Sequence, residues 1–109
     1  MPACAPGDTI GLTIPDYAGN PANDDAPPVT SYTTAQQALS AELKQIAPRL
    51  NAAQFGNTYS RRGTATADGQ EQFAFFTDGR PGIVIDVEGG TTWRVVRTAS
   101  CTAVIGRYR

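Results

Sequence analysis

The only two cysteines of this 109-residue chain, Cys4 and Cys101, sit almost at its two ends, so a bond between them closes nearly the whole protein into one loop. A loop of about 98 residues restricts the unfolded ensemble strongly, and on the chain-entropy account it contributes roughly 4–5 kcal/mol. Cys4 lies in Met1-Pro2-Ala3-Cys4-Ala5-Pro6-Gly7, a terminal stretch with nothing of its own to bury a thiol. A tether is the simplest way to hold it. We therefore expect a Cys4–Cys101 disulfide and a location outside the reducing cytosol, whether secreted, periplasmic or in the cell envelope. Two other readings stand beside this one. The cysteines can be unrelated buried thiols, which behave as small hydrophobes. Alternatively Cys4 carries a lipid, because Ala3-Cys4 resembles the end of a lipobox, although no hydrophobic signal precedes it. The start at Met1-Pro2 is then expected to be that of a mature or truncated chain with an added methionine, any lipid or membrane anchor lying outside this sequence. The alternative is a cytoplasmic start with reduced cysteines.

Length points to one domain, near the size at which a covalent staple helps a single core. No run approaches the roughly 18 consecutive apolar residues of a membrane-spanning helix, so no span is expected in this chain. Residues 1–57 set Lys44 and Arg49 against five acids, giving −3, while residues 58–109 set seven arginines against five acids, giving +2. The sum of −1 is slightly acidic, whereas nucleic-acid-binding domains are strongly basic, so no nucleic-acid partner is expected. Eight arginines to one lysine suggest a G+C-rich bacterial genome.

Histidine is absent, which removes the commonest general base and metal ligand. Ser60 and Ser100 consequently have no histidine to activate them. Asp68 and Asp78 are accounted for as turn residues, and residues 20–25 offer oxygen ligands for loose calcium binding but lack the spacing and bidentate glutamate of an EF-hand loop. The expectation is a protein that is not an enzyme and holds no cofactor or metal.

Along the chain, residues 1–32 read as an extended arm and residues 33–109 as the body. Residues 15–28 are dense in proline, glycine, asparagine and aspartate, a composition that excludes helix. Before them, Thr9-Ile10-Gly11-Leu12-Thr13-Ile14 alternates, which predicts a short strand or a strip lying against the body. The sheet face turned away from the helix, carrying Phe75 or Phe76, is either packed under the arm or exposed as a partner-binding patch, and Ile10, Leu12 and Ile14 are the expected cover. Thr33-Thr34 followed by Gln36-Gln37 offers a capping box. Leu39, Leu43, Ile46 and Leu50 then recur at helical spacing, and Pro48 predicts a kink or break near Ala47.

Everything after Gly56 reads as antiparallel sheet, with strands over residues 57–67, 70–77, 83–87 and 91–99. Residues 101–107 extend the last strand or form a fifth. Asp68-Gly69 is the expected two-residue hairpin turn, and residues 78–82 a wider one. A loop of Glu88, Gly89 and Gly90 pairs Val87 with Thr91 and Ile85 with Trp93, with Gly90 left-handed in a bulge. The predicted fold is α+β: one kinked helix packed on a four- to five-stranded antiparallel sheet, with the arm tied to the last strand. This order of elements is similar in outline to cystatin-like folds, without the glutamine–valine–glycine loop of cystatin inhibitors, and it assigns no family.

Two functions fit this pattern, and both expect a protein partner. One is a non-enzymatic extracytoplasmic binding or sensor domain of a bacterial envelope or secreted protein. The other is a secreted inhibitor or immunity-type protein that blocks an enzyme with a hairpin loop. The candidate partner-binding residues are Asp78 and Arg80 on the turn and Arg94 and Arg97 on the last strand. Strand alternation turns Arg94 and Arg97 to different faces, and the plain alternative pairs such arginines across strands with Asp86, Glu88 or Glu71.

Overall fold

Four strands linked by successive hairpins and a fifth that returns to their edge make up the sheet of the computed structural model, which describes residues 1–14 and 31–109. The elements are β1 (Ile10–Thr13), α1 (Ala35–Ile46), a 3-10 turn (Ala52–Gln54), β2 (Gly56–Arg61), β3 (Gly69–Thr77), β4 (Arg80–Gly89), β5 (Trp93–Cys101) and α2 (Thr102–Tyr108). The sheet runs in the order β1-β5-β4-β3-β2 with every neighbour antiparallel. The protein is thus α+β, with α1 packed across one face of the sheet against β4 and β5. The turn-rich segment and the loose calcium motif of the sequence reading lie outside the described residues.

The helix forms as its sequence directs. Thr34 is the N-cap, its hydroxyl accepting from the Gln37 amide at 3.1 Å, while the Gln37 side chain accepts in return from the Thr33 amide at 3.2 Å. The Gln37 amide, which no helical carbonyl can reach, is thereby satisfied, and the Gln37 side chain ties down the residue before the cap. Leu39 and Leu43 are buried, whereas Lys44 and Gln45 face solvent. At Pro48 the outcome is a stop instead of a kink. The helix ends at Ile46, the Ala47 amide closes the last turn on the Leu43 carbonyl at 2.8 Å, and Leu50 reaches the core from a separate turn.

Beneath the helix, Phe73 and Phe75 of β3 and Ile83, Ile85 and Val87 of β4 supply the core floor. Cross-strand partners point to the same side, so Thr98 belongs to this face through its pairing with Ile85. Thr98 is the buried polar residue of the core, and its hydroxyl donates to Glu42 of α1 at 2.7 Å. Burying that hydroxyl without an acceptor is unfavourable by about 1–3 kcal/mol, so the bond orients the helix over β5.

Several expectations are overturned, each for an identifiable reason. The tight turn is Asp78-Gly79, not Asp68-Gly69: Thr77 pairs with Arg80, and Asp78 and Gly79 take positive φ values of 55° and 74°. Both central residues are left-handed, as a type I′ turn needs. Asp68 instead ends a long loop that leads into Gly69 at the start of β3, because Arg61 already pairs with Gln70 and residues 62–68, whose only apolar side chains are those of Ala65 and Ala67, are all exposed. That loop folds back closely enough that a Cβ on Gly69 would lie 2.8 Å from the Arg61 carbonyl oxygen.

The third hairpin also differs from the predicted register. Val87 pairs with Val95 and Gly89 with Trp93, Val96 is an extra residue between the pairs Val87/Val95 and Asp86/Arg97, and Gly90 is not left-handed. This register aligns Glu88 with Arg94 and Asp86 with Arg97, charge pairs that the predicted register would separate. Cys101 does extend the last strand, but residues 102–108 are helix, not strand: Val104, Ile105 and Tyr108 recur at i, i+1 and i+4 and turn one stripe to the core. The arm also departs from expectation. Its alternating segment is a true strand, β1, but Ile10, Leu12 and Ile14 are 46 %, 54 % and 61 % exposed and do not cover the second face.

Candidate functional site

Cys4 and Cys101 are joined, with Cα atoms 5.5 Å apart and 97 positions separating them in sequence. The Cys4 sulfur is thus engaged and has no valence left for a lipid thioether. Around it the N-terminal segment forms a strap. The Ala3 amide donates to the Pro81 carbonyl at 2.8 Å, and the Thr102 amide donates to the Thr9 carbonyl at 2.9 Å. Asp8 then does what the local sequence of α2 does not, since Cys101 at the N-cap makes no side-chain bond. The Asp8 carboxylate accepts from the Ala103 amide at 3.2 Å and from its neighbour Thr9 at 2.8 Å. Its charge also lies at the positive end of the helix. Replacing Asp8 with alanine should lower stability by about 1 kcal/mol and leave the disulfide intact, a change measured by denaturant unfolding.

Sγ of Cys4, Sγ of Cys101 and a carboxylate oxygen of Asp8 lie within 4.8 Å of one another. Three such atoms have the spacing of a metal site, but the ligand a metal requires is a thiolate, and two bonded sulfurs offer none. The cluster is a staple and a helix cap.

Arg94 and Arg97, expected on opposite sides, are brought to one face by the extra residue Val96. The face is the one opposite α1. There Arg94 Nη2 lies 3.5 Å from Glu88 Oε1, and Arg97 Nη2 lies 2.7 Å from Asp86 Oδ2. The Arg97 Nε also donates to Oδ2 at 2.8 Å, while the Gln72 amide donates to Oδ1 at 2.9 Å. Both oxygens of Asp86 are therefore occupied, and the Arg97 guanidinium is held against the sheet by a charge-assisted pair of bonds. Gln72, Asp86 and Arg97 line a depression of about 410 Å³ with Tyr59 and Gln70. Tyr59 and Phe76, on the same face, are 49 % and 52 % exposed.

Asp78 and Arg80 lie elsewhere. Both are exposed at the β3–β4 turn, and Arg80 makes no salt bridge among the described residues. From Arg80 to Glu88, which pairs with Arg94, is eight residues along β4, roughly 26 Å of strand. The four predicted residues thus divide into two separate places. The site with Tyr59, Gln70 and Gln72 is not visible in the sequence because the bulges at Thr58 and Val96 decide that Tyr59 and Arg97 share the face of Gln70, Gln72 and Asp86.

These features define an α+β domain stapled end to end, with an ordered polar and aromatic depression on the sheet face away from its helix. Compared with known proteins, the chain matches no family model, no curated protein and no solved structure.

Proposed function

We propose that this chain is a non-enzymatic extracytoplasmic binding or sensor domain of a bacterial envelope or secreted protein, and that it meets a protein partner on the sheet face opposite α1. The observation that carries the reading is the depression lined by Tyr59, Gln70, Gln72, Asp86 and Arg97. Its charged groups are fixed by one another in advance of any contact. Preorganised side chains lose little freedom on binding, and exposed tyrosine beside arginine is the composition of protein-binding hot spots. The Cys4–Cys101 bond supports the extracytoplasmic assignment, because such bonds persist in oxidising compartments.

A second reading, an inhibitor or immunity-type protein acting through the β3–β4 hairpin, is favoured by Arg80. That side chain is exposed on a rigid turn and lacks a carboxylate partner among the described residues. One experiment separates the two. The partner is captured from bacterial envelope extract, identified, and titrated against Tyr59→Ala and Arg80→Ala. For the sheet-face reading, Tyr59→Ala should weaken binding at least tenfold while Arg80→Ala leaves it within about twofold, since a hot-spot truncation is worth roughly 2 kcal/mol. The reverse pattern assigns the hairpin.

A further inference from the structure

The two edges of the sheet are built differently. β2, Gly56–Arg61, carries Arg61 and is bent by a bulge at Thr58, two devices by which proteins keep an edge from pairing with other chains. β1, at the opposite edge, has neither. The stretch from Thr9 to Ile14 contains no charge and no proline, and its register with β5 is regular over all four pairs. Among the described residues no strand lies beyond it.

Strand geometry says which backbone groups that edge offers. The Thr102 amide donates to the Thr9 carbonyl, so Thr9 faces β5. Bonded and non-bonded pairs alternate along an antiparallel ladder, which turns Gly11 and Thr13 towards β5 as well. The N–H and C=O groups of Ile10 and Leu12 therefore point away from the sheet. The same two side chains, with Ile14, are about half exposed or more.

We propose that β1 is a self-complementary edge through which two copies of this chain pair antiparallel, continuing the sheet across a two-fold axis at Leu12. A two-fold partner must present the same surface, and this strand fits its own inverse. Centring the axis on Leu12 sets Leu12 against Leu12 and Ile10 against Ile14, so apolar side chains meet on one face. Gly11 meets Thr13 on the other. Leu12 then exchanges both backbone bonds with its symmetry mate, as do Ile10 and Ile14. An uncharged strand needs no complementary charge from its partner, which favours a second copy over a charged foreign segment. Five residues of pairing from each copy bury less than the roughly 1,200–2,000 Å² of a stable interface, so the dimer forms with a dissociation constant in the micromolar to millimolar range.

Sedimentation velocity on the intact, oxidised protein over about 10 µM to 1 mM tests this against two variants. Wild type should move from monomer towards dimer as concentration rises. Leu12→Lys, which adds a charge at an exposed position, should remain monomeric throughout. Leu12→Pro removes one outward amide and no bond to β5, and it should remain monomeric too. A wild type that stays monomeric at the highest concentration overturns the proposal. So does a Leu12→Lys protein that dimerises as wild type does, or a folded Leu12→Pro protein that does so, since the contact would then not be a backbone ladder. Should Leu12→Pro fail to fold, judged by its melting transition, Leu12→Lys alone decides.

Discussion

Reducing the Cys4–Cys101 bond should lower the melting temperature by tens of degrees, the largest single effect expected for this protein. The reason is topological. The bond joins positions 97 residues apart, and opening it returns to the unfolded chain the freedom of almost its whole length. For a loop of that size the entropic account gives about 4–5 kcal/mol, and each kcal/mol moves the transition of a domain this small by roughly 4–8 °C. The folded state contributes as well, because Cys101 is buried and the strap of Ala3, Asp8 and Thr9 is anchored on either side of Cys4. Calorimetry with and without a dithiol reductant, together with Cys4→Ser, checks this. The oxidised native protein should also give no reaction with a thiol reagent. Two thiols that label rapidly in the native state, or a transition unmoved by reduction, would contradict the account.

Leu43→Ala should destabilise the fold by about 2–5 kcal/mol, whereas Lys44→Ala, one position along the same helix, should stay within roughly 0.5 kcal/mol. Leu43 is 1 % exposed and lies in the cluster formed with Phe73, Ile83 and Ile85, so its truncation leaves a cavity that rigid strands on one side cannot close. Lys44 points to solvent. The contrast isolates burial from helix propensity, since alanine favours helix at both positions. Urea unfolding of the two variants gives the measurement. Equal and small changes would mean that α1 is not seated on the sheet.

Legibility in the sequence tracked how local the cause was. The capping of α1 by Thr34 and Gln37 is written in four adjacent residues, and the leucine stripe in one helical period. Both were readable. The stop at Pro48 was half readable: proline forbids continuation, yet whether the chain kinks or ends depends on where Leu50 finds its place in the core. The Asp-Gly dipeptide shows the limit most plainly. It occurs twice with the same local preference, and becomes a tight turn only at Asp78-Gly79, where Phe73 and Phe75 on one side and Ile83 and Ile85 on the other give the flanking strands something to bury.

The candidate site was less legible than the fold. Arg94 and Arg97 were visible as residues and Asp86 and Glu88 as their possible partners, but the face they share rests on the bulge at Val96. One inserted residue reverses every side chain beyond it, and nothing within the strand announces the insertion. Arg80, placed by a two-residue turn, was easier to foresee as an exposed group.

By itself, then, the sequence determined the helix, the antiparallel class, the stripe that packs and the pair of cysteines that closes the chain, because each follows from periodicity, cap chemistry or simple count. Only the tertiary structure decided that residues 102–108 are a helix capped from ninety-five positions away by Asp8, that β1 is the edge strand beside β5 among the described residues, and that Tyr59, Gln72, Asp86 and Arg97 meet on one face. The physical reason is common to all three. Each depends on a partner distant in the chain, and short-range preferences of about a kcal/mol or less yield to burial and hydrogen bonding that only the assembled sheet can supply.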